Sequence, residues 1–589
     1  MKVILTTLNS KFIHSALSIR YIKSYSDDIV PIELMEFTVN QNIDYIVGEI
    51  YKKNPDIIGF STYIWNREET LKICEVLKII KPEMKIILGG PEVSFDGKDI
   101  LQNNFFVDIV VYGEGEATFR ELLKTSLDGK DDYSKVKGIF CREGKEIIQT
   151  PPRPLIEKLD SIPSPYVEIG DEFKNKIVYF ESSRGCPFNC QFCLSSTIKG
   201  VRYFDLERVK KDLDSLIKAE VKQVKFVDRT FNANKKYAME IMNFIIEKNP
   251  KNINFHFEVT AHLLDREMLN FIKKAKEGLF QFEIGVQSTN SKTIEAVGRT
   301  TDFNKLKLVC KEIKSNNNIH QHLDLIAGLP YENYESFKKS FNDVYEIKPE
   351  KIQLGFLKLL KGSGLRKDKD KHNFKFLDQP PYEVLETDYI SYREMLKLKG
   401  IEDLVEKYFN EGYFKHSLEY LIRNKYITAF DFFEDLLKYW EKNKYHTISH
   451  SRNRLYKILL DFYIRKDFDN SVVFKELMKY DYIYNNNNPN IPRFLERTEV
   501  KLIQRNKHNI LKNEKLLDKY LNQYKNIATK KIINKIHIEK FKVDIEELIS
   551  NQYSMDNNML KDRYILFDYK NGSIIRCKTY DITEFINKE

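Results

Sequence analysis

Hydrophobic and polar positions along this chain fall into three regimes. Up to about residue 130, apolar runs of buried-strand length occur at Val3-Ile4-Leu5, Ile57-Ile58-Gly59-Phe60, Lys85-Ile86-Ile87-Leu88 and Asp108-Ile109-Val110-Val111-Tyr112, with helix-period stretches such as 68–80 between them. That alternation predicts a doubly wound parallel sheet. Pro151, Pro152, Pro154, Pro163 and Pro165 then make a stiff connector that cannot continue a sheet. A second alternating series begins with Ile177-Val178-Tyr179-Phe180-Glu181 and continues through strand candidates at 223–227, 254–259, 281–286, 322–326 and 351–356. Six strands with helices between them predict a partial (β/α)6 barrel, a fold whose chemistry sits on loops at the C-terminal ends of its strands. Beyond Pro380-Pro381 the pattern turns to long helical segments rich in Tyr, Phe and Lys, with few strand signals before Tyr564-Ile565-Leu566-Phe567. The expected organisation is α/β: an N-terminal domain over 1–150, a linker over 151–175, the barrel over 176–378 and a mainly α-helical C-terminal domain over 379–589.

Composition narrows the class. At 589 residues the chain has room for about three domains, and a hydrophobic share of 42% is enough for packed cores. No apolar run reaches the roughly 18 residues that a membrane helix needs. The start, Met1-Lys2-Val3-Ile4-Leu5, reads as a strand and not as a signal peptide. Seven cysteines, at unpatterned spacings apart from one trio, predict a reducing, cytoplasmic setting and no disulfide framework. The net charge of +9 is uneven: residues 501–542 hold twelve Lys and Arg against Glu514, Asp518 and Glu539. Such a stretch can bind RNA phosphates. Aromatics suited to base stacking are sparse in it, however, and a solvated helical face is the simpler reading. Neither DNA nor a membrane is an expected partner.

The trio lies in Ser183-Arg184-Gly185-Cys186-Pro187-Phe188-Asn189-Cys190-Gln191-Phe192-Cys193, with the spacing C-x3-C-x2-C. Three thiolates on one tight loop can ligate three irons of a cubane cluster, since soft sulfur ligands favour such clusters. One iron is then left open to a substrate or cofactor. A structural zinc wants four closed ligands, and no further Cys or His lies between residues 142 and 255. The motif resembles that of the radical S-adenosylmethionine (SAM) enzymes. The resemblance implies that Cys186, Cys190 and Cys193 are the metal ligands of a catalytic [4Fe-4S] cluster, that its open iron is chelated by the amino and carboxylate groups of SAM, and that Phe192 packs near the adenine.

Strand ends of the second series supply Glu258, Gln287-Ser288 and Asp324. The run Gly285-Val286-Gln287-Ser288, followed by Arg299 and then by Asp324-Leu325-Ile326-Ala327-Gly328, resembles the oxygen-independent coproporphyrinogen oxidase type of radical SAM barrel. That resemblance implies SAM binding by Gln287, Arg299 and Asp324, with Glu258 near the methionine end. A carboxylate suits ribose hydroxyls, and a guanidinium suits a carboxylate through paired hydrogen bonds. The Gly-Gly-Glu expected after the second strand is replaced by Phe226-Val227-Asp228-Arg229-Thr230, which leaves Asp228 as the candidate for the SAM amino group.

The first series also has polar or glycine-rich strand ends, Ser61-Thr62-Tyr63, Gly89-Gly90-Pro91-Glu92 and Gly113-Glu114-Gly115-Glu116, which invite a nucleotide-like ligand. No G-x-G-x-x-G follows the first strand, so a dinucleotide is not expected. With the cysteine motif downstream, residues 1 to about 375 resemble the cobalamin (B12)-dependent radical SAM enzymes, in which a cobalamin-binding Rossmann-like domain precedes the barrel. The remainder resembles the helical extension of uncharacterised B12-binding radical SAM proteins. The implied cobalamin contacts are Thr7, Asn9, His14, Ser61, Thr62, Tyr63, Gly89, Gly90, Pro91, Glu92, Gly113, Glu114 and Gly115. The Asp-x-His-x-x-Gly of mutase-type domains is absent, so His14 is expected to be a hydrogen-bonding group and not a cobalt ligand.

The resemblance further implies cleavage of SAM to a 5′-deoxyadenosyl radical and methylation of an unactivated carbon through methylcobalamin. It also implies an external low-potential electron donor such as flavodoxin or ferredoxin. The expected substrate is a small molecule or peptide in preference to RNA. Ring closure or rearrangement is the alternative outcome, and a SAM- or cobalamin-responsive module without turnover is the alternative class. Methylthio transfer to tRNA would need three further cysteines in the N-terminal domain, where only Cys74 and Cys141 occur.

Overall fold

The structure, a computed structural model, describes all residues except 130–131, 145, 168, 487–489, 556–558, 570–576 and 587–589, and all their side chains except those of 500, 502, 505 and 506. Two compact units divide the chain: Met1–Tyr334 with Gly355–Tyr392, and Glu335–Leu354 with Arg393–Glu589.

The first unit begins with β1 (Val3–Asn9), β2 (Ile32–Thr38), β3 (Ile57–Ser61), β4 (Lys85–Gly89), β5 (Ile109–Val111), β6 (Ile139–Glu143) and β7 (Glu146–Gln149). They form one sheet in the order β2-β1-β3-β4-β5-β6-β7. The first five are parallel and the last two join antiparallel. A parallel sheet covered on both faces reads as continuous apolar runs, and β1 is buried at every residue. Alternate positions feed two cores, Ile4, Ile58 and Ile86 on one face and Val3, Ile57 and Ile87 on the other. The strand β2, with Glu33 and Glu36 inside it, and the β6–β7 hairpin add to the elements expected from sequence. The order reverses between β1 and β3, and the crevice beyond the carboxyl ends of such strands is where this class of sheet binds ligands. Asn66 ties that edge together: its amide donates to Leu8 O at 3.0 Å and to Ser61 O at 3.2 Å, and its carbonyl accepts from the Tyr63 N–H at 2.7 Å.

The connector enters the second sheet directly against the first. The Ile177 N–H donates to Ile13 O at 2.6 Å. Next come β8 (Ile177–Phe180), β9 (Ser183–Cys186), β10 (Gly200–Tyr203), β11 (Gln223–Phe226), β12 (Asn254–Glu258), β13 (Phe280–Gln287), β14 (His320–Ala327) and β15 (Lys351–Phe356). Six of them form the sheet β15-β14-β13-β12-β11-β8, close to the six strands expected. The remaining two, β9 and β10, pair antiparallel as a hairpin that frames the cysteine loop.

The second unit is mainly helical, with Tyr392–Val405, Lys415–Lys425, Ala429–Lys442, Arg452–Arg465 and Ser471–Tyr484 as its long helices. Helix Tyr334–Tyr345 belongs with them: Lys338 pairs with Asp431 at 2.6 Å, and the Tyr345 hydroxyl donates to Glu419 at 2.7 Å. A three-stranded antiparallel sheet, Ile536–Phe541, Arg563–Asp568 and Lys578–Asp581, adds to the helical expectation. Its first strand lies inside the basic stretch, so 501–542 is not a single helical face. Part of this charge is answered within the unit. Lys507 Nζ donates to Ile533 O and Ile536 O at 2.9 Å, Lys519 meets Glu584 at 2.8 Å, and Lys540 meets Glu499 at 2.5 Å and Asp562 at 2.8 Å. The Arg505 side chain lies outside the described residues. Among the described residues no helix is long and apolar enough to cross a membrane.

Candidate functional site

The cysteine loop is built on the β9–β10 hairpin, whose strands meet at Cys186 and Gly200. Gly185 makes this pairing possible. Its φ is +105°, and a Cβ there would lie 2.1 Å from the Gly200 carbonyl oxygen. We expect Gly185→Ala to open the hairpin and lower iron uptake at least about tenfold, read as iron and sulfide content after anaerobic reconstitution. Beyond the hairpin, the Gln191 N–H donates to Val297 O and Gln191 O accepts from the Leu365 N–H, both at 2.9 Å, which fixes the loop on the barrel rim. Each sulfur has a polar neighbour. The Thr230 hydroxyl is 3.6 Å from Cys186 Sγ, Arg299 Nη1 is 3.7 Å from Cys190 Sγ, and the Ser195 N–H donates to Cys193 Sγ at 3.4 Å. Burial pushes the Cys190 thiol up, and the Arg299 guanidinium works against it. Among the described residues no group of three ligating side chains converges as a single metal ion requires. The fit to a cluster rests on the donor set, three thiols on one loop with hydrogen-bonding groups turned to the sulfurs.

Gln287, Arg299 and Asp324 come together beside this loop. A register shift between Gly285 and Gln287, with φ of +69° at Gln287, marks an irregularity at the end of β13. Arg299 donates to Gly285 O at 2.6 Å and to Thr301 Oγ1 at 2.9 Å. Gln287 Oε1 and Asp324 Oδ1 are buried without a partner. Orphaned buried oxygens are costly, and a polar ligand at the strand ends would relieve both. Burial, then the nearby Glu283 and Glu258 carboxylates, push the Asp324 carboxyl well above its ordinary range, with Lys225 and Arg299 opposing. Burial likewise raises Glu258, whose nearest cation is Arg229 at 4.0 Å.

Asp228 stands apart from the expectation. Its oxygens accept from the Ser182 N–H at 3.0 Å, the Ser182 hydroxyl at 2.6 Å and the Ser183 hydroxyl at 2.6 Å, so it braces the start of β9. Phe192 packs against the apolar cluster around Val297, Leu329 and Leu365.

A cavity of about 650 Å³ lies between the carboxyl ends of the two sheets. Asn9, His14, Ser61, Tyr63, Gly89, Gly90, Pro91, Gly113, Glu114 and Gly115 line it from the first domain, and Tyr179, Glu181, Arg184, Lys225, Arg229 and Glu258 from the barrel. It reaches inward to Leu5, Gly59, Val111 and Phe119. Gly59 thins the sheet there, since a Cβ would come within 2.6 Å of Leu5 and 3.3 Å of Phe119. Gly90, with φ of +111°, could not carry a side chain, because its Cβ would lie 2.5 Å from Thr62 O. The floor is thus bare backbone and apolar surface, suited to a large flat ligand with a tail.

His14 Nδ1 is 2.9 Å from the Tyr179 hydroxyl. Burial first, then Lys11 and Lys225, lower its pKa, so it is a neutral hydrogen-bonding group. Of the remaining expected contacts, Thr7, Thr62 and Glu92 do not line the cavity. The Thr7 hydroxyl donates to Ser61 O at 2.9 Å, and Thr62 Oγ1 is buried without a partner. Glu92 pairs with Arg67 at 2.9 Å and accepts from the Tyr382 hydroxyl. Glu114 lines the cavity, but its carboxylate meets Arg202 at 2.7 Å and Arg184 at 3.3 Å. Sequence reasoning missed the barrel wall. Tyr179, Lys225 and Arg229 lie at strand ends of the second series, and that position was the available signal. Lys225 and His256 both reach Glu283, at 3.0 and 2.9 Å, and hold its carboxyl near a pKa of about 2 although burial alone would raise it.

Comparison with known proteins matches three family models: a B12 binding domain over residues 3–123, the Radical SAM superfamily over 180–344, and a protein of unknown function (DUF4080) over 370–567. The chain is 28% identical over 317 residues to a cobalamin-dependent radical SAM methyltransferase, TokK, of Streptomyces tokunonensis, covering 50% of this chain and 45% of the relative. It is 24% identical over 338 residues to an anaerobic magnesium-protoporphyrin IX monomethyl ester cyclase of Rubrivivax gelatinosus, covering 55% and 60%. The chain therefore spans about half the length of the curated relatives it matches. Among solved structures, the cobalamin-dependent SAM radical enzyme OxsB, with aqua-cobalamin and SAM bound, superposes with a TM-score of 0.58 at 16% identity, over 94% of this chain and 84% of that one. With a B12-binding domain followed by a radical SAM domain, at the residues that wall the cavity and carry the cysteine hairpin, this chain is a homologue of the cobalamin-dependent radical SAM methyltransferases.

Proposed function

We propose that the protein is a cobalamin- and SAM-dependent radical enzyme that methylates an unactivated carbon of a small molecule or peptide. One observation carries this reading: a single cavity is walled by the glycine-rich edge of the B12-binding domain and by the strand ends of the radical SAM sheet. When bound, the cluster supplies the electron that splits SAM, and cobalamin carries the methyl group. The chain's own part is placement. Cys186, Cys190 and Cys193 hold the cluster, Gln287, Arg299 and Asp324 hold SAM, and the Gly89–Pro91 and Gly113–Gly115 edges leave room for the corrin and its tail. Glu258 and Arg229, on the barrel side of the cavity, face the substrate. Asp228 supports the cysteine hairpin from below and does not bind the SAM amino group. An external low-potential reductant, flavodoxin or ferredoxin, delivers the electron. RNA is the less favoured substrate, since aromatics suited to base stacking are sparse in the basic stretch and Lys519 and Lys540 there are held in ion pairs within their own unit.

The test is anaerobic reconstitution of the whole chain. About four irons and four sulfides per chain are expected, with about one hydroxocobalamin and release of 5′-deoxyadenosine from SAM under reduction. An untargeted comparison of cells with and without the protein should then show a product heavier by CH2, one hydrogen having been replaced by methyl. A dehydrogenated or ring-closed product of unchanged carbon count would replace methylation with cyclisation. Failure to retain any corrin after gel filtration would remove the cobalamin part.

A further inference from the structure

We propose that Arg184 and Arg202 are positioning residues that clamp the cysteine hairpin to the loop after β5, so that filling the cobalamin cavity sets the placement of the cluster loop. The two arginines face each other across the hairpin, in register on β9 and β10. Both reach into the B12-binding domain. Arg184 meets Glu116 at 2.6 Å and Glu114 at 3.3 Å while also pairing with Glu181 at 2.9 Å on its own side. Arg202 meets Glu114 at 2.7 Å and donates to Ile156 O at 2.6 Å, and the Ile156 N–H donates to Glu114 at 2.8 Å. None of these five side chains is more than 18% exposed.

The carboxylates sit in Gly113-Glu114-Gly115-Glu116, a segment that lines the cavity and opens helix Gly115–Leu127. The cations sit on the strands that end in the cluster loop, and Arg184 is two residues from Cys186. Rigid guanidinium forks bind carboxylates in fixed geometry. In a dry setting, pulling one partner away leaves a buried charge unpaired. The loop therefore cannot shift to accept a corrin tail without carrying the hairpin with it. Neither arginine ligates iron, and Arg202 does not line the cavity, which separates its role from the binding residues above.

The test is amide hydrogen exchange on the whole reconstituted chain, with and without hydroxocobalamin. Hydroxocobalamin should slow exchange across residues 183–203 about tenfold or more in the wild-type chain. Arg202→Gln, at the arginine that does not line the cavity, should keep its iron and bind hydroxocobalamin, yet lose the slowing, while Arg202→Lys, which keeps the charge without the fork, should restore part of it. Slowing that survives in Arg202→Gln overturns the clamp. Should Arg202→Gln fail to fold, Arg202→Lys decides, and slowing as large as in the wild-type chain overturns the clamp. Loss of cobalamin uptake in Arg202→Gln would make it a ligand contact and also overturn a positioning role. The inference rests on cobalamin binding by the first domain. A wild-type chain that takes up no cobalamin sinks that reading, whereas uptake without any response in the hairpin sinks the clamp alone.

Discussion

A chain in which Cys186, Cys190 and Cys193 are all alanine is expected to fold and to take up hydroxocobalamin, yet to hold no iron or labile sulfide and to release no 5′-deoxyadenosine. The loop does not depend on its sulfurs for shape. The hairpin closes through Gly185 and Gly200, Asp228 braces its start, and backbone bonds from Gln191 to Val297 and Leu365 hold its far side. Only Cys190 is buried, so the loss of packing should stay near 1 kcal/mol, a typical value for one substitution. Function, in contrast, should vanish outright, because no other ligating group of three is present among the described residues to take the cluster. Iron and sulfide analysis beside circular dichroism checks both halves. A triple variant that still carries a cubane, or a wild-type chain that emerges from anaerobic purification with zinc, would sink the assignment.

Asp324→Asn should separate stability from ligand binding. Burial and the nearby Glu283 and Glu258 carboxylates raise the wild-type carboxyl well above its ordinary value of 3.8, and its Oδ1 has no partner. A carboxyl with a higher pKa in the folded state than in the unfolded one favours folding most below the unfolded value, and that advantage is lost as pH climbs past 3.8 toward the folded pKa. The amide escapes this penalty. The ligand-free variant should therefore be more stable than wild type at pH 8, and the difference should shrink toward pH 4. SAM binding should weaken at least about tenfold, since the lost acceptor is worth roughly 1.5–3 kcal/mol to a bound hydroxyl pair. Urea titrations at the two pH values and equilibrium dialysis with SAM measure the two effects. An asparagine variant that is less stable at both pH values would show that Asp324 has a structural partner in the folded chain.

Much of this arrangement was legible before the structure. Parallel strands buried on both faces announce themselves as unbroken apolar runs, so β1, β3, β4 and β5 were readable. The strand β2 was not, because Glu33 and Glu36 break its apolar pattern. Three cysteines at fixed spacing need no neighbours to be recognised, and Gln287, Arg299 and Asp324 carried enough spacing to be found together. What sequence could not show is which way a polar side chain turns once the chain is folded. Glu92 and Glu114 sit in glycine-rich strand ends as a ligand contact would, yet both are turned to arginines that lie far along the chain or on another sheet. Asp228 occupies the place of a SAM-binding residue and is spent on two serines. In the C-terminal unit, a strand hidden among lysines, Ile536–Phe541, was masked by the charge that surrounds it.

The return of residues 355–392 to the first unit bears on how such proteins can be recombined. The region of unknown function matches from residue 370, so its opening stretch lies inside that returning segment. Within it, Tyr382 caps the Arg67–Glu92 pair, Lys361 meets Asp96, and the bare backbone of Gly362 leaves space for the Phe95 ring. These contacts are particular to the partners on the B12-binding side. An exchange of C-terminal extensions between homologues made at residue 370 or at 378 would set a foreign tyrosine position against Arg67 and Glu92. An exchange made at 392 keeps each cofactor domain with the strap that packs on it, but parts helix Tyr334–Tyr345 from Asp431 and Glu419, so that helix has to be exchanged together with the extension.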